Sequence, residues 1–69
     1  MARRYSVENI FTDEVKPFRS LKKAVEYAIE QKDSSNLITC GNINLEYYMY
    51  GDTYDTLYAR CKAIIERFS

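Results

Sequence analysis

The chain has 69 residues, 46 % of them hydrophobic and 14 % aromatic, enough for one small core and too apolar for a disordered segment. Ten basic and ten acidic residues cancel, so no global field draws the molecule toward nucleic acid or a membrane surface. Residues Met1–Tyr5 lead into polar positions and not into the apolar stretch of a signal peptide, and no apolar run is long enough to cross a bilayer, so a single domain over residues 1–69 in the cytoplasm is the expectation.

In chain order, Tyr5 to Phe11 reads as a strand, with Tyr5, Val7 and Phe11 apolar and Ser6 and Glu8 between them. Thr12-Asp13 offers a turn, after which Glu14 to Phe18 would pair back as a short second strand that Pro17 confines to a sheet edge. Ser20 is a helix N-cap. It is followed by Leu21, Ala24, Val25, Ala28 and Ile29 on one face and Lys22, Lys23, Glu26 and Glu30 on the other. Lys32 to Asn36 breaks the period and predicts a loop.

Leu37–Cys40 and Ile43–Tyr50 flank Gly41-Asn42, where glycine in the first turn position suits the positive φ of a type II′ hairpin. Strict alternation along the second arm would set Ile43, Leu45, Tyr47 and Met49 on the core face and Asn44, Glu46, Tyr48 and Tyr50 on the other. Gly51 ends the strand, and Asp52 or Thr53 caps a final helix whose stripe is Tyr54, Leu57, Cys61, Ile64, Ile65 and Phe68. The order β(β)αββα predicts an α+β fold. Its single-layer, mainly antiparallel sheet has three to four strands, both amphipathic helices on one face and the opposite face open.

The chemistry of the side chains argues against an enzyme. There is no histidine to serve as general base or metal ligand. The two glycines leave no phosphate-cradling loop, and Cys40 and Cys61 have neither zinc-site spacing nor an imidazole to activate a thiolate. These cysteines are expected as buried thiols, with a disulfide left open. Asp52 and Asp55 sit where helix caps sit. No cofactor or metal is expected.

Two features point to binding. Tyr47, Tyr48, Tyr50, Tyr54 and Tyr58 are five of the seven tyrosines, and tyrosine combines large contact area with a polar tip, as interfaces favour. From Glu46 to Tyr58 there are three acids and no base, which suits a basic protein surface and repels phosphate. Glu46, Tyr48, Tyr50 and Tyr58 are therefore the candidate partner-binding residues. The second feature is charge segregation. Residues 1–23 carry six bases against three acids, and Arg19, Lys22 and Lys23 gather at the start of the first helix as a candidate anion site. A solvated helix face with Lys22 beside Glu26 is the plainer reading of that cluster.

In size and plan the layout is similar to small phage-encoded proteins that bind and inhibit a host enzyme or defence complex, a likeness of scale that carries over no residue. It implies an inhibitor or adaptor. The expected function is a non-catalytic protein–protein interaction module, acting on a protein partner or as a homodimer through the Tyr48/Tyr50 face. The alternative is a small nucleic-acid-binding domain using Arg3, Arg4, Arg19, Lys22, Lys23 and the basic C-terminal turn, which requires both chain ends to converge.

Overall fold

The computed structural model describes residues 4–68. Its elements are β1 (Tyr5–Asn9), β2 (Val15–Phe18), α1 (Leu21–Gln31), β3 (Asn36–Cys40), β4 (Ile43–Tyr47) and α2 (Tyr54–Arg67). Arg3, named in the alternative reading, lies outside the described residues. The strands form one antiparallel sheet in the order β2-β1-β3-β4.

Local chemistry sets each boundary. The Asn9 side chain ends β1 two residues before the alternation does. Its Oδ1 accepts from the amides of Phe11 (2.9 Å) and Thr12 (3.1 Å), and its carbonyl accepts from Asp13 N at 2.8 Å. Asp13 takes the left-handed conformation at φ 62°, which a short polar side chain tolerates. Phe11, expected within the strand, stands at the loop tip and is 83 % exposed. Strand β2 lies at the sheet edge, as Pro17 requires.

Ser20 is extended at φ −140°, and its Oγ accepts from Lys23 N at 3.3 Å, so α1 begins where the cap residue predicts. Leu21, Ala24, Val25 and Ala28 are buried, and Lys32 at φ 51° closes the helix by donating to the Ala28 carbonyl. Gly41 has φ 60° while Asn42 is not in the left-handed region, in keeping with a II′ and not a I′ connection. Thr53 caps α2: its Oγ1 accepts from Thr56 N, and Thr56 Oγ1 accepts in return from Thr53 N. Both helices lie on one face of the sheet. There Val7, Ile38, Cys40 and Leu45 pack with the α1 stripe and with Leu57 and Cys61 of α2. Toward the C-terminus the α2 stripe runs off this core, leaving Ile64 and Ile65 half-buried and Phe68 exposed. Among the described residues no helix is long and apolar enough to cross a membrane.

The largest departure from strict alternation is in β4. Thr39 pairs with Asn44 but Ile38 pairs with Glu46, so Leu45 is an extra residue, a β-bulge. Past a bulge the side-chain parity flips. Ile43 and Leu45 face the helices as expected, but the assignments of Glu46, Tyr47, Tyr48 and Met49 are reversed, and only Tyr50 stays outward as expected. Glu46 turns toward α2, Tyr47 turns to the open face at 41 % exposure, and Tyr48 enters the core at 4 %. The paired strand stops at Tyr47, and Met49, expected in the core, is exposed.

Candidate protein-docking face

The bulge and the capping of α2 redistribute the four residues expected to bind a partner. Tyr48 is a core residue. Glu46 lies on the helix side, its Oε1 3.8 Å from Arg60 Nε. Tyr58 is half-buried in the helix layer, stacked on Tyr54 with ring centroids 5.5 Å apart. Burial, with Tyr58, Glu26 and Asp55 nearby, pushes the Tyr54 hydroxyl above its ordinary pKa. Only Tyr50 is fully presented, at 95 % exposure, and it sits in a turn beyond the sheet.

The face opposite the helices is built from other residues. Register places Val15 of β2, Glu8 of β1, Leu37 of β3 and Tyr47 of β4 in one row across all four strands. The next row is Pro17, Ser6, Thr39 and Asn44, with Ser6 Oγ and Thr39 Oγ1 hydrogen-bonded at 2.5 Å. Leu37 is buried yet takes no part in the core cluster, since its register with Glu8 sets it on the face away from the helices. Ile10 extends the β1–β3 ladder by one step, donating to the Ser35 carbonyl at 3.1 Å, which puts its exposed side chain on the same face.

Strands β1 and β4 run in the same direction, so the loop after β1 and the segment after β4 lie at one end of the sheet. That end carries Phe11, Met49 and Tyr50. Among the described residues, six of the seven large exposed hydrophobics, all but Phe68, therefore lie on the open face or in the loops at this end of the sheet. Monomeric surfaces rarely gather apolar side chains this way without a binding role. Register carries the signal for this patch, and register is not legible from alternation alone.

The loop after β4 is held rigidly. Asp52 N donates to the Met49 carbonyl at 2.9 Å, and Gly51 has φ 93°, as the third residue of a type II turn requires. Asp52 Oδ2 accepts from Met49 N at 2.9 Å, and its carboxylate accepts from both terminal Arg60 nitrogens, at 2.6 and 2.8 Å. Arg60 also reaches the Tyr47 carbonyl at 3.4 Å, so one guanidinium on α2 fixes the end of β4 and the turn that presents Tyr50. The hydrogen bonds from Arg60 hold the Asp52 carboxyl well below the usual carboxylate range against the opposing effect of burial. They also raise the Arg60 pKa.

A depressed folded-state pKa gives stability that is complete above the unfolded value near 4 and is lost as pH falls through the folded value. Asp52→Asn should therefore cost about 2 kcal/mol at pH 7, the worth of hydrogen bonds to a charged group. The gap between variant and wild type should close as pH drops below about 4. Thermal melts at neutral and acidic pH check this, and a gap independent of pH would remove Asp52 as the charged anchor.

No protein family, curated protein or solved structure matches the chain. At the opposite end of the sheet, Arg4, Arg19 and Lys23 border a shallow depression with Tyr5, Pro17, Phe18 and Ser20, and Lys22 is exposed beside them on α1. Arg4 also borders a notch with Ile65 and Phe68, so the residue before β1 and the end of α2 lie close together. Among the described residues no ion pair joins Lys22 to Glu26, and those present belong to Arg60. Cys40 and Cys61 are both buried free thiols, and burial pushes Cys61 up to about 12, far from a reactive thiolate.

Proposed function

We propose that this chain is a non-catalytic protein-binding module, an inhibitor or adaptor that docks its partner on the open face of the sheet. The observation that supports it is the gathering of Ile10, Phe11, Val15, Tyr47, Met49 and Tyr50 on that face and its rim, around a buried Leu37 that no helix covers. The partner-binding set thus moves from Tyr48 and Glu46 to the Val15–Leu37–Tyr47 row, with Tyr50 retained at the edge. Small proteins with a rigid sheet and a firmly anchored rim bind with little ordering cost, which suits an inhibitor.

The test compares immobilised wild type with a Val15→Ser/Tyr47→Ser double variant in native-cell extract, with nuclease treatment of both. Melts should show the variant folded, since both residues are largely solvent-facing. A nuclease-resistant protein retained by wild type should bind the variant at least about 30-fold more weakly, because truncated interface anchors often cost about 2 kcal/mol or more. Equal retention by the folded variant would take the site off this face.

The convergence of Arg4 with Arg19 and Lys23 favours a second reading, a small nucleic-acid-binding domain. The zero net charge weighs against it. Labelled single- and double-stranded oligonucleotides should show no binding at about 150 mM salt. Micromolar binding that falls steeply with salt and vanishes in an Arg19/Lys22/Lys23→Ala variant would replace the protein-binding reading.

A further inference from the structure

Glu8 is the only charged side chain in the two rows of the open face. It lies half-buried on a central strand, between Val15 on one side and Leu37 on the other, with Tyr47 beyond Leu37 and Ile10 two residues further along the chain. Among the described residues its carboxylate has no ion pair and no hydrogen bond. The nearest row carries only Pro17, Ser6, Thr39 and Asn44, and Lys16 of β2 is on the other side, over the Tyr27 ring at 4.8 Å. Water solvates Glu8 while the face is free, and any occupant that covers the apolar row removes that water.

We propose that the occupant of this face is a protein surface presenting one arginine or lysine among apolar side chains, its cation seated on Glu8, and that a second copy of this chain is excluded. This rests on the docking reading above and names the partner's chemistry. A carboxylate covered without a counter-charge is strongly disfavoured, and one met by a hydrogen-bonded guanidinium is not. Arginine is also the charged residue most often found as an interface anchor. A two-fold face-to-face dimer centred on this row repeats the same patch on both sides, so it brings one Glu8 toward the other with no cation between them. The same carboxylate that selects a basic partner therefore keeps copies of the chain apart.

The Glu8→Arg variant is itself a probe of the stated chemistry, since it keeps the apolar rim and replaces the carboxylate by a guanidinium. Sedimentation equilibrium and native mass spectrometry are run on wild type, on Glu8→Val, on Glu8→Arg and on an equimolar mixture of wild type with Glu8→Arg. Circular dichroism and melts establish that each is folded, and Glu8→Lys replaces the arginine variant if it is not. Wild type and Glu8→Arg should each stay monomeric, while Glu8→Val self-associates. The mixture should pair at least about tenfold more tightly than either component alone, as complementary charges at an interface centre do. Adding Tyr47→Ser to the associating chains should abolish each association.

Wild-type dimers that Tyr47→Ser dissolves would overturn the inference while leaving the face as a docking surface, its occupant then a second copy. Association of Glu8→Val without pairing of the mixture would overturn the role of the cation alone. If neither Glu8→Val nor the mixture associates, the inference falls, while the docking reading stands or falls on the Val15→Ser/Tyr47→Ser comparison.

Discussion

Leu57→Asp is expected to leave no cooperative unfolding transition at 25 °C. Leu57 is fully buried at the centre of the single core, among Val25, Ile38, Leu45 and Cys61. Loss of the leucine side chain costs about 2–5 kcal/mol, and burial of a carboxylate without a partner adds several more. The nearest strong cation on α2, Arg60, is already held by Asp52 at 2.6 Å. Against this, a 69-residue domain has on the order of 3–10 kcal/mol in total. The loss equals or exceeds the whole stability, and far-UV circular dichroism with a thermal melt should show an unfolded chain. A cooperative melt close to wild type would mean that α2 does not cover the sheet.

The second large effect separates two tyrosines only two residues apart. Tyr48→Ala should destabilise by about 3–5 kcal/mol, the cost of removing a buried aromatic side chain, whereas Tyr50→Ala should stay within about 0.5 kcal/mol, as exposed substitutions do. The contrast follows from the bulge at Leu45, which turns Tyr48 inward, and from the Gly51 turn, which leaves Tyr50 in solvent. Urea denaturation of the two single variants measures it. Similar small losses for both would restore unbroken alternation through β4 and return Tyr48 to the surface.

The binding surface follows from the same geometry. Tyr47, Val15 and Leu37 are far apart in the chain and become neighbours only because β1 lies between β2 and β3 and β3 lies between β1 and β4. Glu8 gains its role the same way. In the sequence it is one of ten acids, but in the sheet it is a carboxylate with apolar residues across both neighbouring strands.

By itself the sequence determined the elements and their order, because the interactions that begin and end them are local. Ser20 and Thr53 reach amides three residues on, Gly41 supplies a positive φ where it stands, Pro17 keeps its strand at an edge, and the helix stripes repeat with the pitch of the helix. Those local signals were enough to place two helices on one side of a mainly antiparallel sheet. Only the tertiary structure decided which side of β4 faces the core beyond Leu45. From Tyr47 to Tyr50 four large, partly apolar side chains follow one another with no polar contrast to mark a face, so alternation there extrapolates from Ile43 and Leu45. A bulge depends on the register against β3, a contact between strands, and it reverses the assignments from Glu46 to Met49 while leaving the local propensities unchanged.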